Sequence, residues 1–274
     1  MPTSRSAAQS QAPSPGSVAP ASAFAQSAIV AILALTSAVL FLFVFPERAA
    51  GGRAWNAAVK LATAIACFLA YLSFRRGDYM RLPWAALGLD FLVIATRDAL
   101  ASAGILGGSF IALNMPQVLS NTFQVMAFVG FARAFRVAGL ELPVGQWTRV
   151  LAFTACAAMA TAIASVALAR HVVELGRSDV AVIGAIASDI GDLVSFILLA
   201  PIFLTTVALR GGLLARPWFF LTASQVAWLC YDVLYLADMF AAREVARTTA
   251  CACSLTAALA IRSMVVSSTR SRTL

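Results

Sequence analysis

The sequence predicts an all-α, polytopic membrane protein of about eight transmembrane helices, arranged as two parallel four-helix repeats. Three observations carry this. The chain of 274 residues is 61% hydrophobic and 12% charged, with a mean hydropathy of +0.86, whereas soluble domains carry about 25% charged residues. Its apolar residues gather in runs of about 20, the length that crosses the hydrocarbon core of a bilayer. And a signature recurs: Arg76-Gly77, Pro83-Trp84, Asp98 and Leu100 reappear as Arg210-Gly211, Pro217-Trp218, Asp232 and Leu234, each 134 residues later without a gap. Over 76–103, eight of 28 positions match their partners, a fixed-period self-similarity that reads as an internal repeat.

Taken in order, residues 1–23 are rich in Ala, Ser, Pro and Gln and predict a disordered tail. The first span, 24–45, is too long for a signal-peptide core and is expected to remain uncleaved. The second, 55–74, holds Lys60, the only lysine. The third, 82–104, opens on Pro83-Trp84 and carries Asp90 and Asp98. The fourth, 109–133, places Asn114, Gln117, Asn121 and Gln124 at spacings of three and four, on one helix face. The first repeat thus covers 24–136 and a linker covers 137–149. In the second repeat, 150–266, the spans are 150–169, rich in small residues; 180–209, with Asp189, Asp192 and Pro201, long enough to tilt or break; 217–238, repeating the third; and 246–266. Residues 267–274 form a short tail.

With the N-terminus inside, twelve arginines fall in cytoplasmic segments and six in outer ones. The positive-inside rule therefore places both termini in the cytoplasm. Four helices per half give both halves the same orientation, hence parallel repeats about an axis along the membrane normal. Basic loops facing anionic lipid account for the net charge of +8, so no nucleic-acid partner is expected. In the loops between spans two and three, and six and seven, Gly ends a helix, Pro starts the next, and Trp84 and Trp218 are expected as interface anchors. Arg75, Arg76, Arg81, Arg210 and Arg216 would there meet lipid head groups or a cytoplasmic partner protein.

Fifteen residues separate Pro83 from Asp98, about 22 Å of helix rise, which puts Asp98 and Asp232 in the outer half. Lys60, Asp189, Asp192, Asn114, Gln117 and Asn121 fall in the same half. Facing inward, they would form a polar pocket open to the outside that binds a small ligand, ion or lipid. Ionisable residues inside a membrane are costly and usually functional. Structural pairing competes with that reading: Asp98 with Lys60, or Asp232 with a hydroxyl or tyrosine of a neighbouring helix. Arg97, adjacent to Asp98, points in another direction along the helix and need not pair with it. Asp90 has no repeat partner and is either protonated or paired with a residue that the sequence does not identify.

Other chemistry is discounted. The single histidine, His171, falls in an outer loop, which argues against haem between two histidines and against a Ser-His-Asp triad. There is no Walker-type loop. All five cysteines lie within spans and read as small apolar residues. Four carboxylates would suit Mg²⁺ or Ca²⁺, but only Asp189 and Asp192 share a face by spacing, so no metal and no cofactor is expected.

The run Leu82-Pro83-Trp84-Ala85-Ala86-Leu87-Gly88, with Asn121 and Phe131-Ala132-Arg133-Ala134-Phe135-Arg136, resembles bacterial multi-helix membrane sensor regions that precede diguanylate cyclase or histidine kinase output domains. Gly191-Asp192-Leu193, Arg210-Gly211-Gly212 and Arg216-Pro217-Trp218 are similar to the later helices of such regions. The resemblance covers about half the chain and implies a bacterial inner-membrane sensing module. This sequence ends at Leu274 without an output domain, so the expectation is signalling through a separate partner, with homo-oligomerisation compatible. The readings in order are therefore a sensor or accessory protein, a small secondary transporter using paired aspartates, and an intramembrane lipid-modifying enzyme. The last ranks lowest because no nucleophile–base pair stands out.

Overall fold

The computed structural model describes residues 20–45, 50–106, 110–137, 145–175, 182–209 and 215–270. These form α1 (Pro20–Val39), a π-helical turn (Leu40–Val44), α2 (Ala50–Ser73), α3 (Arg81–Ser102), α4 (Phe110–Val137), α5 (Gln146–Leu175), α6 (Ile183–Ala208), α7 (Ala215–Leu236) and α8 (Phe240–Arg270). There is no strand among the described residues. Six helices are long and apolar enough to cross a membrane: α1 with its π turn, α2, α5, α6, α7 and α8. The α3 and α4 helices fall short of that standard. Their polar content explains it, since α3 carries Arg81, Asp90, Arg97 and Asp98, and α4 carries four amides.

Most helices run past the expected spans, α2 starting at Ala50, α5 at Gln146 and α8 at Phe240, and two of the differences bear on the reading. Helix α1 begins at Pro20, inside the stretch expected to be disordered, and residues 1–19 lie outside the described residues. Helix α5 runs well past residue 169, so His171 stands on a helix rather than in a loop. Pro201 does not break α6, which continues through it.

Helix packing closes a six-membered ring in the order α2, α3, α4, α6, α7, α8 and back to α2. The same order results when a two-fold exchanges α2–α3–α4 with α6–α7–α8. The leading helices do not follow it: α1 packs on α8, and α5 on α6. Both are peripheral, with 11% and 6% of their apolar spans buried against 56% for α8. Their exposed Ile, Leu, Val and Phe side chains suit lipid, where burial against another helix brings no hydrophobic gain.

The α3 and α7 helices begin and end 134 residues apart. Their ends are also alike. Ala103, Gly104 and Ile105 N–H donate to Ala99, Ala101 and Leu100 carbonyls; Ala237, Asp238 and Met239 N–H donate to Val233, Tyr235 and Leu234. All three bonds keep the 134-residue offset. The left-handed residue that allows the turn is Gly104 (φ 70°) in one case and Asp238 (φ 56°) in the other, and aspartate is among the few side chains that tolerate this region.

Small residues let the ring close. Ala250, Ala252, Ala257 and Ala258 of α8 and Ala70 of α2 are fully buried, the composition that allows close helix approach in lipid. Hydroxyls stitch the seams: Thr63 to the Cys251 carbonyl (3.1 Å), Ser224 to the Ala250 carbonyl and Ser254 (both 2.8 Å), and Ser37 to Thr248 (2.7 Å). Cys67, Cys251 and Cys253 are buried in this packing as free thiols. On the α4–α6 seam, two glycines seven residues apart meet two asparagines seven apart. A Cβ on Gly184 would lie 2.1 Å from Asn114 Oδ1, and one on Gly191 would lie 2.8 Å from Asn121 Cβ.

One end of the ring is filled by aromatic rings. Trp84, Phe128 and Phe131 are essentially inaccessible, and Phe131 meets Trp84 (5.1 Å) and Trp218 (5.9 Å) edge to face. Trp84 is thus a core residue, not the interface anchor expected from its place after Pro83. Its helix start turns the indole into the bundle, where facing Phe131 gives it more contact than lipid would.

Candidate functional site

Opposite this aromatic plug, the ring encloses a cavity of about 400 Å³. Its wall is contributed by Lys60 of α2, by Asp90, Phe91, Ile94 and Arg97 of α3, and by Asn114, Gln117, Ser120, Asn121 and Gln124 of α4. It is completed by His171 of α5, by Gly184, Ala185, Ser188, Asp189 and Asp192 of α6, by Trp228, Tyr231, Asp232 and Tyr235 of α7, and by Arg247 of α8. Most lie in the halves of their helices away from Trp84 and Trp218, and Asp90, Phe91 and Gln124 stand near the helix midpoints. The size is typical of a small-molecule site, as is the mixture of apolar wall and convergent polar groups.

Of the residues singled out from sequence, Lys60, Asn114, Gln117, Asn121, Asp189, Asp192 and Asp232 border this one cavity. Asp98 stands behind its wall. It accepts from Lys60 Nζ at 2.6 Å and from Arg97 Nη2 at 3.0 Å and Nε at 3.2 Å. The expectation that Arg97 and Asp98 point apart is corrected here, because the arginine stem is long enough to fold back on its neighbour while its other nitrogen reaches Gln117 of α4. Lys60 is 3% exposed and bonded to Asp98 alone among the described residues.

Asp90 accepts a hydrogen bond from Ser120 of α4, the partner the sequence did not identify. His171 Nδ1 lies 2.8 Å from Asp189 Oδ2; it was expected to be a solvent-facing loop residue. Arg247 bonds Glu244 (2.9 Å) and the Tyr231 hydroxyl, and its guanidinium sits 4.7 Å over the Tyr231 ring. Glu244, 3% exposed, also accepts from Asn56 of α2 at 2.7 Å. Sequence reasoning missed Arg247, Glu244, Tyr231, Ser120 and Ser188. The i, i+3, i+4, i+7 spacing of Trp228, Tyr231, Asp232 and Tyr235 was an available signal that they share one face.

The charges divide unevenly. The cations Lys60, Arg97 and Arg247 are each engaged with Asp98 or Glu244. Asp192 is touched only by the Ser188 hydroxyl, at 3.5 Å, and Asp232 has neither a hydrogen bond nor an ion pair among the described residues. Asp192 lies within electrostatic reach of Asp189, Asp232 and Asp90. Asn121, 6% exposed, has an Nδ2 with no acceptor among the described residues. A smaller recess of about 50 Å³ between α5, α6 and α7 borders Asp189, Asp192, Asp232 and His171 from behind. Among the described residues no three His, Cys, Asp or Glu side chains converge to hold a metal ion.

At the plugged end, Arg81 is not free: it donates to the Tyr71 hydroxyl at 3.0 Å and covers that ring at 4.3 Å. Arg75 and Arg76 are exposed, Arg216 is half-buried, and Arg210 lies outside the described residues. Comparison with family models, curated proteins and solved structures finds no match to this chain.

Proposed function

We propose that this chain is a multi-pass inner-membrane protein with eight spanning helices and cytoplasmic termini, which binds a small polar solute from the outer side and reports its presence to a cytoplasmic partner. The cavity carries this reading, because it extends from the helix midpoints toward one end of the ring while aromatic side chains fill the other end. In the orientation favoured by the arginine distribution, the cavity half is the outer one. Helices α3 and α7 connect the two halves: each bears cavity residues near one end and the Arg-Gly…Pro-Trp signature at the other. A shift of either on binding would move the Arg75, Arg76 and Arg216 surface.

The constant offset, equal lengths and like caps of α3 and α7 support duplication of the two halves. They also favour a second reading, in which two parallel halves rock about the cavity and move the solute across the membrane. Labelling of Ser188→Cys with a membrane-impermeant thiol reagent separates the two, with the unsubstituted protein as background. Reaction only from outside supports the sensor. Reaction from either side of oriented vesicles supports the transporter. Reaction from neither side removes both.

A further inference from the structure

The two halves of the chain treat the repeated aspartate differently, and the difference points to a ligand. In the first half, Asp98 is neutralised within the protein by the ammonium of Lys60 and the guanidinium of Arg97. The positions 134 residues after those two cations hold Val194 and Tyr231. Asp232 therefore has the place of Asp98 without either counter-ion. An uncompensated carboxylate within a bundle is costly, and a second one, Asp192, stands across the α6–α7 seam beside it.

The surroundings favour an organic cation over a metal ion. No three metal-ligating side chains converge among the described residues, and a 400 Å³ cavity is far larger than an ion. Trp228 and Tyr235 flank Asp232 on the same face of α7, and aromatic faces attract desolvated ammonium groups. The neighbouring tyrosine rings each hold a cation of the chain already, Tyr231 with Arg247 at 4.7 Å and Tyr235 with Arg243 at 5.2 Å, which leaves Trp228 as the aromatic face open to a ligand.

We propose that the cavity binds a small organic ammonium compound, its cationic nitrogen between Asp192 and Asp232, in the role that Lys60 plays toward Asp98. This rests on the cavity being a solute site, as argued above. Bound there, the cation would join α6 to α7, the least extensively packed neighbours in the ring.

The test is thermal unfolding in lipid nanodiscs with 1,4-diaminobutane or tetramethylammonium, at ionic strength matched with NaCl, against glutarate and glycerol. A ligand binding only the folded state stabilises it in proportion to its concentration over Kd. An ammonium probe should raise the midpoint beyond NaCl, and Asp232→Asn should weaken its apparent affinity by about tenfold or more. Tyr235→Leu, at a half-exposed position whose ring stacks on Tyr231 and carries the Arg243 guanidinium, should weaken it too and serves if Asp232→Asn folds poorly. No ammonium shift, or a shift unchanged in both variants, overturns the proposal. If glutarate or glycerol stabilises instead, the ligand class is wrong while the solute-site reading stands. If nothing stabilises and Ser188→Cys is unreactive, both fail.

Discussion

Asp98→Asn offers the sharpest test of the electrostatic account. The substitution replaces the carboxylate that accepts three charge-assisted contacts, at 2.6, 3.0 and 3.2 Å, with an amide that keeps one acceptor oxygen but no charge, and leaves Lys60 buried at 3% exposure without its anion. Truncating one partner of a buried ion pair costs about 3–5 kcal/mol in soluble proteins. Helices that stay in lipid on unfolding find other partners there, which lowers the figure, so the expected loss is about 3 kcal/mol, roughly two decades in the folding equilibrium. Asp232→Asn removes no counter-ion contact and should cost under about 1 kcal/mol. Lys60→Met/Asp98→Leu, which removes both charges, should recover most of the loss. Reversible unfolding in mixed micelles with increasing denaturing detergent, followed by tryptophan fluorescence, measures all three. Equal losses for the two aspartates, or a double variant less stable than Asp98→Asn, would refute the reasoning.

Three further outcomes follow from the packing. Gly184→Ala places a methyl 2.1 Å from Asn114 Oδ1 and should cost about 1–3 kcal/mol, with Asn114→Ala in the same chain restoring part of it; an additive loss in the same unfolding assay would contradict the close approach. Phe131→Ala removes a fully buried ring from the plug. It should cost about 3–5 kcal/mol and make Ser188→Cys reactive from the plugged side; unchanged one-sided labelling would show that Trp84 and Trp218 seal that end alone. Tyr71→Phe removes one hydrogen bond from Arg81 but keeps the ring beneath it, so stability should fall by under about 1 kcal/mol, whereas Tyr71→Leu should cost more.

Much of the architecture was legible because hydropathy and helical spacing are local properties. The amide stripe of α4 was visible at spacings of three and four, and it borders the cavity as one face. The crowding of acids into one half followed from helix rise and chain direction. What stayed hidden was long-range. The sequence offered Lys60 as a partner for Asp98 but could not weigh it against Arg97. It read Trp84 from its neighbours as an anchor, whereas Phe131 of α4 decides its place. His171 looked like a loop residue because the apolar run of α5 ends before the helix does. Nothing local could show that α1 joins α8 while α5 joins α6, since a long apolar run does not by itself select a neighbouring helix.

The closure of the ring by α8 bears on how the protein is made. Helix α2 reaches its second neighbour only when α8 has entered the bilayer, and Ser37 of α1 waits for Thr248, 211 residues later. Until then Asn56 lacks the Glu244 carboxylate and Thr63 lacks the Cys251 carbonyl. A nascent chain arrested after α7 would present these groups to lipid or to the insertion machinery. Chains cut short before the last helix would leave these groups unpaired and should be degraded faster than chains that receive it, in which Ser37 and Thr248 join the first and last helices.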